Sequence, residues 1–142
     1  MSVSARNQLI GVVYSVIEGA VNNEVVLKLE GGEQLTTVIT KASSNALELA
    51  PGKTAIALIK APWVILASSD CGLNFSARNQ FAGTVKKVVK GAVNSTVHVE
   101  TSNGLLLTSS ITNESIDEMT IVDGSKVIAL IKASSVILAT QK

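Results

Sequence analysis

Aromatic residues are almost missing from this chain: Tyr14, Trp63, Phe75 and Phe81 are the whole set, although 46% of residues are hydrophobic. A core must therefore be filled by small aliphatic side chains, which suits a compact barrel better than a deep apolar ligand pocket. Charge of one sign is lacking too. Acidic and basic residues nearly cancel to a net +1, so nothing here attracts a polyanion over a long range. Cys71 is the only cysteine, which excludes an intrachain disulfide and a thiolate metal cluster. His98 is the only histidine, so no Ser/His/Asp or Cys/His set can be built twice. No run approaches the roughly 20 apolar residues of a membrane span, and Glu18, Asn22 and Asn23 interrupt the N-terminal stretch early, so no secretory leader is read there. A cytoplasmic location is the expectation.

What the chain has instead is a repeat. Ser4-Ala5-Arg6-Asn7-Gln8 returns as Ser76-Ala77-Arg78-Asn79-Gln80, Leu58-Ile59-Lys60-Ala61 as Leu130-Ile131-Lys132-Ala133, and Val64-Ile65-Leu66-Ala67 as Val136-Ile137-Leu138-Ala139. The register holds without a gap, and about half of the aligned positions are identical. The reading is a first domain over residues 1–67, a linker over 68–75 and a second domain over 76–142. A module of about 60 residues buries only about 60% of its chain surface. The copies are therefore expected to pack on each other or on further subunits.

Both copies read alike. Residues 8–17 are rich in Val and Ile, with Gly11 interrupting; a turn at Glu18-Gly19-Ala20-Val21-Asn22 is matched by Lys90-Gly91-Ala92-Val93-Asn94. Val25, Leu27 and Leu29 alternate with polar neighbours, as a half-buried strand requires. Gly31-Gly32 and Asn103-Gly104 mark hairpins, the latter pair suited to a primed turn. Residues 35–40 give a third strand. Residues 41–49 place Ala42, Ala46, Leu47 and Leu49 at helical spacing, with Thr40 or Ser43 as the cap, and 113–121 are their counterpart. Pro51-Gly52 and Asp123-Gly124 turn the chain, and residues 54–60 and 63–67 are two final strands. Three strands, a short helix and two strands is the element order of a five-stranded OB-type barrel.

Catalysis that respected the repeat would need duplicated acids and bases, and none are present: Glu48 aligns with Thr120, and Asp123 with Pro51. An enzyme is not expected. The polar residues kept in both copies are Ser4/Ser76, Arg6/Arg78, Asn7/Asn79, Gln8/Gln80, Asn22/Asn94, Thr36/Thr108, Thr40/Thr112, Ser43/Ser115 and Lys60/Lys132. All can donate a hydrogen bond and none is acidic. A small oxyanion carries only acceptors and is held by such a set. The plain alternative is that the hydroxyls cap turns and the cations are solvated. The Gly19–Asn22 turn has its own two readings: a presenter of backbone amides to an anion, or a tight turn that needs glycine.

These stretches together resemble the Mop family of molybdate-binding domains, and a chain of two copies resembles the molbindins within it. The resemblance covers nearly the whole chain. It implies an all-β fold with one short helix per repeat, as two tandem OB-like five-stranded barrels, and six-domain rings, here a homotrimer. Molybdate, with tungstate as a substitute, would bind between domains. By position, one partner would supply Ser4, Ala5 and Arg6, or Ser76, Ala77 and Arg78. The facing partner would supply Thr40, Ser43, Lys60 and Ala61, or Thr112, Ser115, Lys132 and Ala133. A further site on the threefold axis would use Gly19, Ala20, Val21 and Asn22 with Gly91, Ala92, Val93 and Asn94. The copies differ after Lys60-Ala61, where Pro62-Trp63 stands in place of Ser134-Ser135. Proline has no N–H to give, so a site needing a donor there is intact only with Ser134, and two unequal classes of site are expected.

Molybdenum storage and homeostasis is the function the resemblance implies. An oxyanion-sensing regulator shares the module, but only Met1–Val3 precede the first motif, which favours storage. An OB-fold nucleic-acid binder would need stacking aromatics along a basic groove; Tyr14 aligns with Lys86 and Trp63 with Ser135, so no such row recurs.

Overall fold

Period-2 burial sets the frame of each repeat. In the computed structural model, which describes residues 2–142, strand β1 (Asn7–Glu18) turns Asn7, Leu9, Gly11 and Val13 inward and Ile10, Val12 and Tyr14 outward. Its counterpart β6 (Asn79–Val89) buries Asn79, Phe81 and Val85 in the same way. Both strands carry a register shift against the next strand, between Val13 and Ser15 and between Val85 and Lys87. Gly11 and Gly83 lie just before these bulges. A Cβ on Gly83 would sit 2.7 Å from the Glu100 carbonyl oxygen, so only glycine lets the strands coil this closely.

Strands β2 (Asn22–Leu29) and β3 (Gln34–Thr40) follow antiparallel, as do β7 (Asn94–Thr101) and β8 (Leu106–Thr112). The second hairpin differs from the expected primed turn. Asn103 does not have a positive φ; instead the Thr101 carbonyl accepts from Gly104 N–H at 2.9 Å, Gly104 takes φ 88°, and Thr101 N–H closes the loop on the Leu105 carbonyl at 2.8 Å. A longer loop with one left-handed glycine does the work there.

Helices α1 (Lys41–Ala46) and α2 (Asn113–Met119) are shorter than the apolar spacing suggests, because Glu48 and Thr120 take left-handed backbone (φ 53° and 52°) and end them. Thr40 and Thr112 are the N-caps: each Oγ1 accepts from the N–H of Ser43 or Ser115 at 3.1 Å. Strands β4 (Thr54–Ile59) and β9 (Lys126–Ile131) complete the expected order with β5 (Ile65–Ser68) and β10 (Ile137–Ala139).

The sheets do not follow the repeat boundaries. Their strand orders are β10-β4-β1-β2-β3 and β5-β9-β6-β7-β8, so each repeat lends its last strand to the other. Ile65 pairs with Leu130 and Ala67 with Ile128; Ile137 pairs with Leu58 and Ala139 with Ile56. The result is two curled, OB-like five-stranded sheets over one continuous aliphatic core, with Leu27, Leu35, Ile59, Leu107 and Ile131 fully enclosed. Exchange addresses the small-module problem: neither repeat has to be stable alone.

Candidate functional site

The Ser-Ala-Arg-Asn-Gln motif divides its labour. Asn79, 3% exposed, donates from Nδ2 to the carbonyls of Thr36 (2.8 Å) and Ile131 (3.1 Å), while its Oδ1 accepts from Thr36 N–H at 2.8 Å. Asn7 makes the same set with Thr108 (2.8 and 2.7 Å) and Ile59 (3.2 Å). Each asparagine thus clamps its own repeat to β3 or β8 of the other, and the reciprocity relates the repeats by a local twofold. Gln80 Nε2 donates to the carbonyls of Ala77 and Phe75, both at 2.9 Å, and Gln8 to those of Ala5 and Val3, both at 3.1 Å. Asparagine and glutamine fix the Ser-Ala-Arg segment. They serve position, and leave Ser4, Ala5 and Arg6, or Ser76, Ala77 and Arg78, as the motif's remaining candidates for a ligand.

That segment finds its neighbours through the strand register. Asn79 is opposite Ile131, so Lys132, Ala133 and Ser134 lie beside Ser76, Ala77 and Arg78, and the six line a cleft of about 420 Å³. A second cleft of about 510 Å³ joins Thr40, Ser43 and Asn22 of the first repeat to Ser134. Val38 and Ser134 border both clefts. Residues of both repeats are thus gathered at one junction within the chain. Within the chain, Lys132 and Ala133 sit with the Ser-Ala-Arg segment of their own repeat, because β6 and β9 are sheet neighbours, and Thr40 and Ser43 line the adjoining cleft, which Ser134 shares.

Residues Ser4, Ala5, Arg6, Lys60 and Ala61 take equivalent positions by the same relations: Asn7 is opposite Ile59 and reaches across to Thr108, the strand that leads to Thr112 and Ser115. Ser4, Arg6, Lys60 and Thr112 are exposed, whereas Ala61 and Ala133 are buried. Here the chain runs into Pro62 and Trp63, and the Lys60 ammonium stands 6.0 Å from the Trp63 ring centroid, a cation–π distance.

One charged neighbour of this segment is not shared by the two copies. Arg78 is held by Glu24 of β2 in a two-pronged pair, Nη2 to Oε1 at 2.8 Å and Nη1 to Oε2 at 3.1 Å. Hydrogen bonding and charge from that carboxylate raise the guanidinium pKa above its ordinary value. Position 96, the counterpart of Glu24, is a threonine. No other ion pair is present among the described residues.

The Gly19–Asn22 and Gly91–Asn94 turns are fully exposed, with Val21 and Val93 at 72% and 71%. A Cβ on Gly19 would sit 2.4 Å from the Asn22 carbonyl oxygen, and one on Gly91 2.3 Å from that of Asn94, so tight turning requires glycine at both. The turns are tied to the helix starts: the Val21 carbonyl accepts from Lys41 N–H and the Val93 carbonyl from Asn113 N–H, each at 2.9 Å. Asn22 consequently borders the same cleft as Thr40 and Ser43. His98 is half-buried on β7 with its Nδ1 3.3 Å from Thr108 Oγ1, and no group of His, Cys, Asp and Glu among the described residues could hold a bare metal ion. The polar side chains at these clefts are hydroxyls, cations and one amide, set among apolar neighbours such as Val38, Ile65 and Leu138.

Comparison with known proteins points to the same module. The model of the TOBE domain matches residues 3–66 and again 76–138. Over 99% of its length the chain superposes on the whole of the cytoplasmic molybdate-binding protein ModG, in a crystal form with molybdate bound, with a TM-score of 0.94 and 44% identity. It is 42% identical over 139 residues to the molybdenum-pterin-binding protein MopA of Rhodobacter capsulatus, covering 98% of this chain and 52% of MopA. It is 39% identical over 142 residues to the molybdenum transport protein ModE of Herbaspirillum seropedicae, covering all of this chain and 53% of ModE. The chain spans about half the length of these curated relatives. It belongs to the TOBE-domain family, as a tandem pair of Mop-type domains.

Proposed function

We propose that the chain captures molybdate reversibly and serves molybdenum storage and homeostasis, with the anion seated where domains meet. The observation that carries this reading is the convergence of Ser76, Arg78, Lys132 and Ser134 from one repeat with Thr40 and Ser43 from the other onto adjoining clefts. Its support outside the chain is the full-length similarity to ModG, which is described as a cytoplasmic molybdate binder. The relatives named above are binding and transport proteins, and the proposed action is capture without turnover.

A site whose polar groups can all donate selects by chemistry. Phosphate near neutral pH keeps a proton that would point at an N–H or cation without an acceptor, a cost that a fully deprotonated tetrahedral dianion avoids. Sulfate is also acceptor-only and has to be rejected by size. Tungstate matches molybdate in charge and shape and is expected to bind nearly as well.

The clefts are open, and the ligating side chains are mostly exposed, as sites completed by further subunits would be. Both repeats also expose apolar side chains at equivalent positions: Ile17 with Val89, Val21 with Val93, and Ile65 with Ile137. A homotrimer that covers these faces and brings the Gly19–Asn22 and Gly91–Asn94 turns around a threefold axis is the assembly we propose. A cytoplasmic location follows the same likeness; no helix among the described residues is long and apolar enough to cross a membrane.

A second reading, an oxyanion sensor acting through a partner, is favoured by the match to about half of ModE. Calorimetry with molybdate, tungstate, sulfate and phosphate tests the first reading. Molybdate and tungstate should bind tightly and the other two weakly; equal affinity for sulfate would remove the selectivity argument. A molybdate-dependent partner captured alongside would favour the sensor.

A further inference from the structure

The two arginines that the family resemblance places at oxyanion sites do not stand in equivalent surroundings. Arg78 has both outer guanidinium nitrogens committed to the Glu24 carboxylate, at 2.8 and 3.1 Å. The Glu24 side chain is 25% exposed and that of Arg78 54%. Glu24 is opposite Ile17 on β1 and Val38 on β3, and Val38 lines both clefts, so the carboxylate is held at the edge of the proposed site. Position 96, opposite Val89 and Ser110 in the matching register, carries a hydroxyl and no charge. Arg6 accordingly has no carboxylate partner among the described residues.

Resting on the molybdate reading, we infer that Glu24 is a built-in competitor for the oxyanion at the Arg78 site. A carboxylate and a molybdate offer the same thing to a guanidinium, two acceptor oxygens spaced for a forked contact. For a dianion to take Arg78 in that fashion, Glu24 has to swing away, and it then remains nearby as a like charge. Nothing comparable opposes binding at Arg6. Acting alone, the device makes the Arg78 site the looser of the two, filling only as free oxyanion rises, and leaves the Arg6 site unaffected. It also gives Arg78 an internal partner when no ligand is present, so an empty site does not leave an unpaired guanidinium in a junction between repeats. The asymmetry lies on another strand from the Pro62/Ser134 difference and acts through charge, and the two run in opposite directions: Pro62 removes a donor in the Arg6 group, whereas Glu24 opposes the anion at Arg78.

The test is calorimetry with molybdate on the intact assembly of the wild type, Glu24→Gln, Glu24→Thr and Thr96→Glu. Gln keeps the shape of Glu24 without its charge, and Thr installs the residue the second repeat already has, so one variant remains if the other folds poorly. Loss of the charge should tighten the Arg78 site by about tenfold, as removal of one close like charge would, with no change in stoichiometry and little change at the Arg6 site. Thr96→Glu should weaken the Arg6 site by a similar factor. Isotherms for both Glu24 variants that overlay a wild type able to bind molybdate would overturn the inference and leave the binding reading intact. Absence of binding in wild type and variants alike would overturn both.

Discussion

The first repeat offers Arg6 without a carboxylate partner and Lys60 beside Pro62 and over the Trp63 ring, whereas the second offers Arg78 tied to Glu24 and Lys132 next to Ser134 and Ser135. The frame beneath them is the same: Asn7 and Asn79 make matching clamps, Thr40 and Thr112 matching caps, and the exchanged strands matching ladders. Duplication has kept the frame and let drift the neighbours of the proposed sites. A pair of sites with one scaffold and different neighbours can fill over a wider range of free oxyanion than two identical ones.

The largest expected effect lies in the shared frame. Asn79→Ala strands a part-buried Thr36 N–H and two carbonyls, one of them buried, and should cost about 2 kcal/mol of stability; Asn7→Ala should cost as much if the clamps are equivalent. Chemical denaturation of both checks this, and a difference of more than about half the larger value would break the symmetry of the frame. Next come the arginines. Arg6→Ala should lower molybdate affinity by about tenfold or more, the loss of a charge-assisted pair, and Arg78→Ala by less, because Glu24 already engages that side chain. Identical losses by calorimetry would contradict the asymmetry.

Smaller again is the cap. Thr40→Ala should cost about 1 kcal/mol of stability, and Thr112→Ala the same, since both accept from the N3 amide at 3.1 Å. Thermal melts would register both.

Much of this was legible in the chain. Alternation of Val25, Leu27 and Leu29, the Thr-x-x-Ser caps and the Pro51-Gly52 turn gave the strands, helices and order that the structure has. The partner of the last strand was not legible. Ile65-Leu66-Ala67 reads as a strand in any sheet, and its short pattern carries nothing that distinguishes Leu58 from Leu130 as a neighbour. Asn7 and Asn79 could be picked out as shared polar residues, yet their use as clamps depends on that exchange. Glu24 was hidden for the opposite reason: a search for duplicated residues discards the one carboxylate that only one repeat carries. Helix length was overestimated because left-handed backbone at Glu48 and Thr120 leaves no signature in apolar spacing.

Native mass spectrometry of the purified protein, with metal analysis of the same sample, bears most directly on capture of an oxyanion between domains. Three chains should fly together and gain mass in steps of molybdate, with part of the load taken up well before the rest. A single chain that takes up none at millimolar concentration would contradict it.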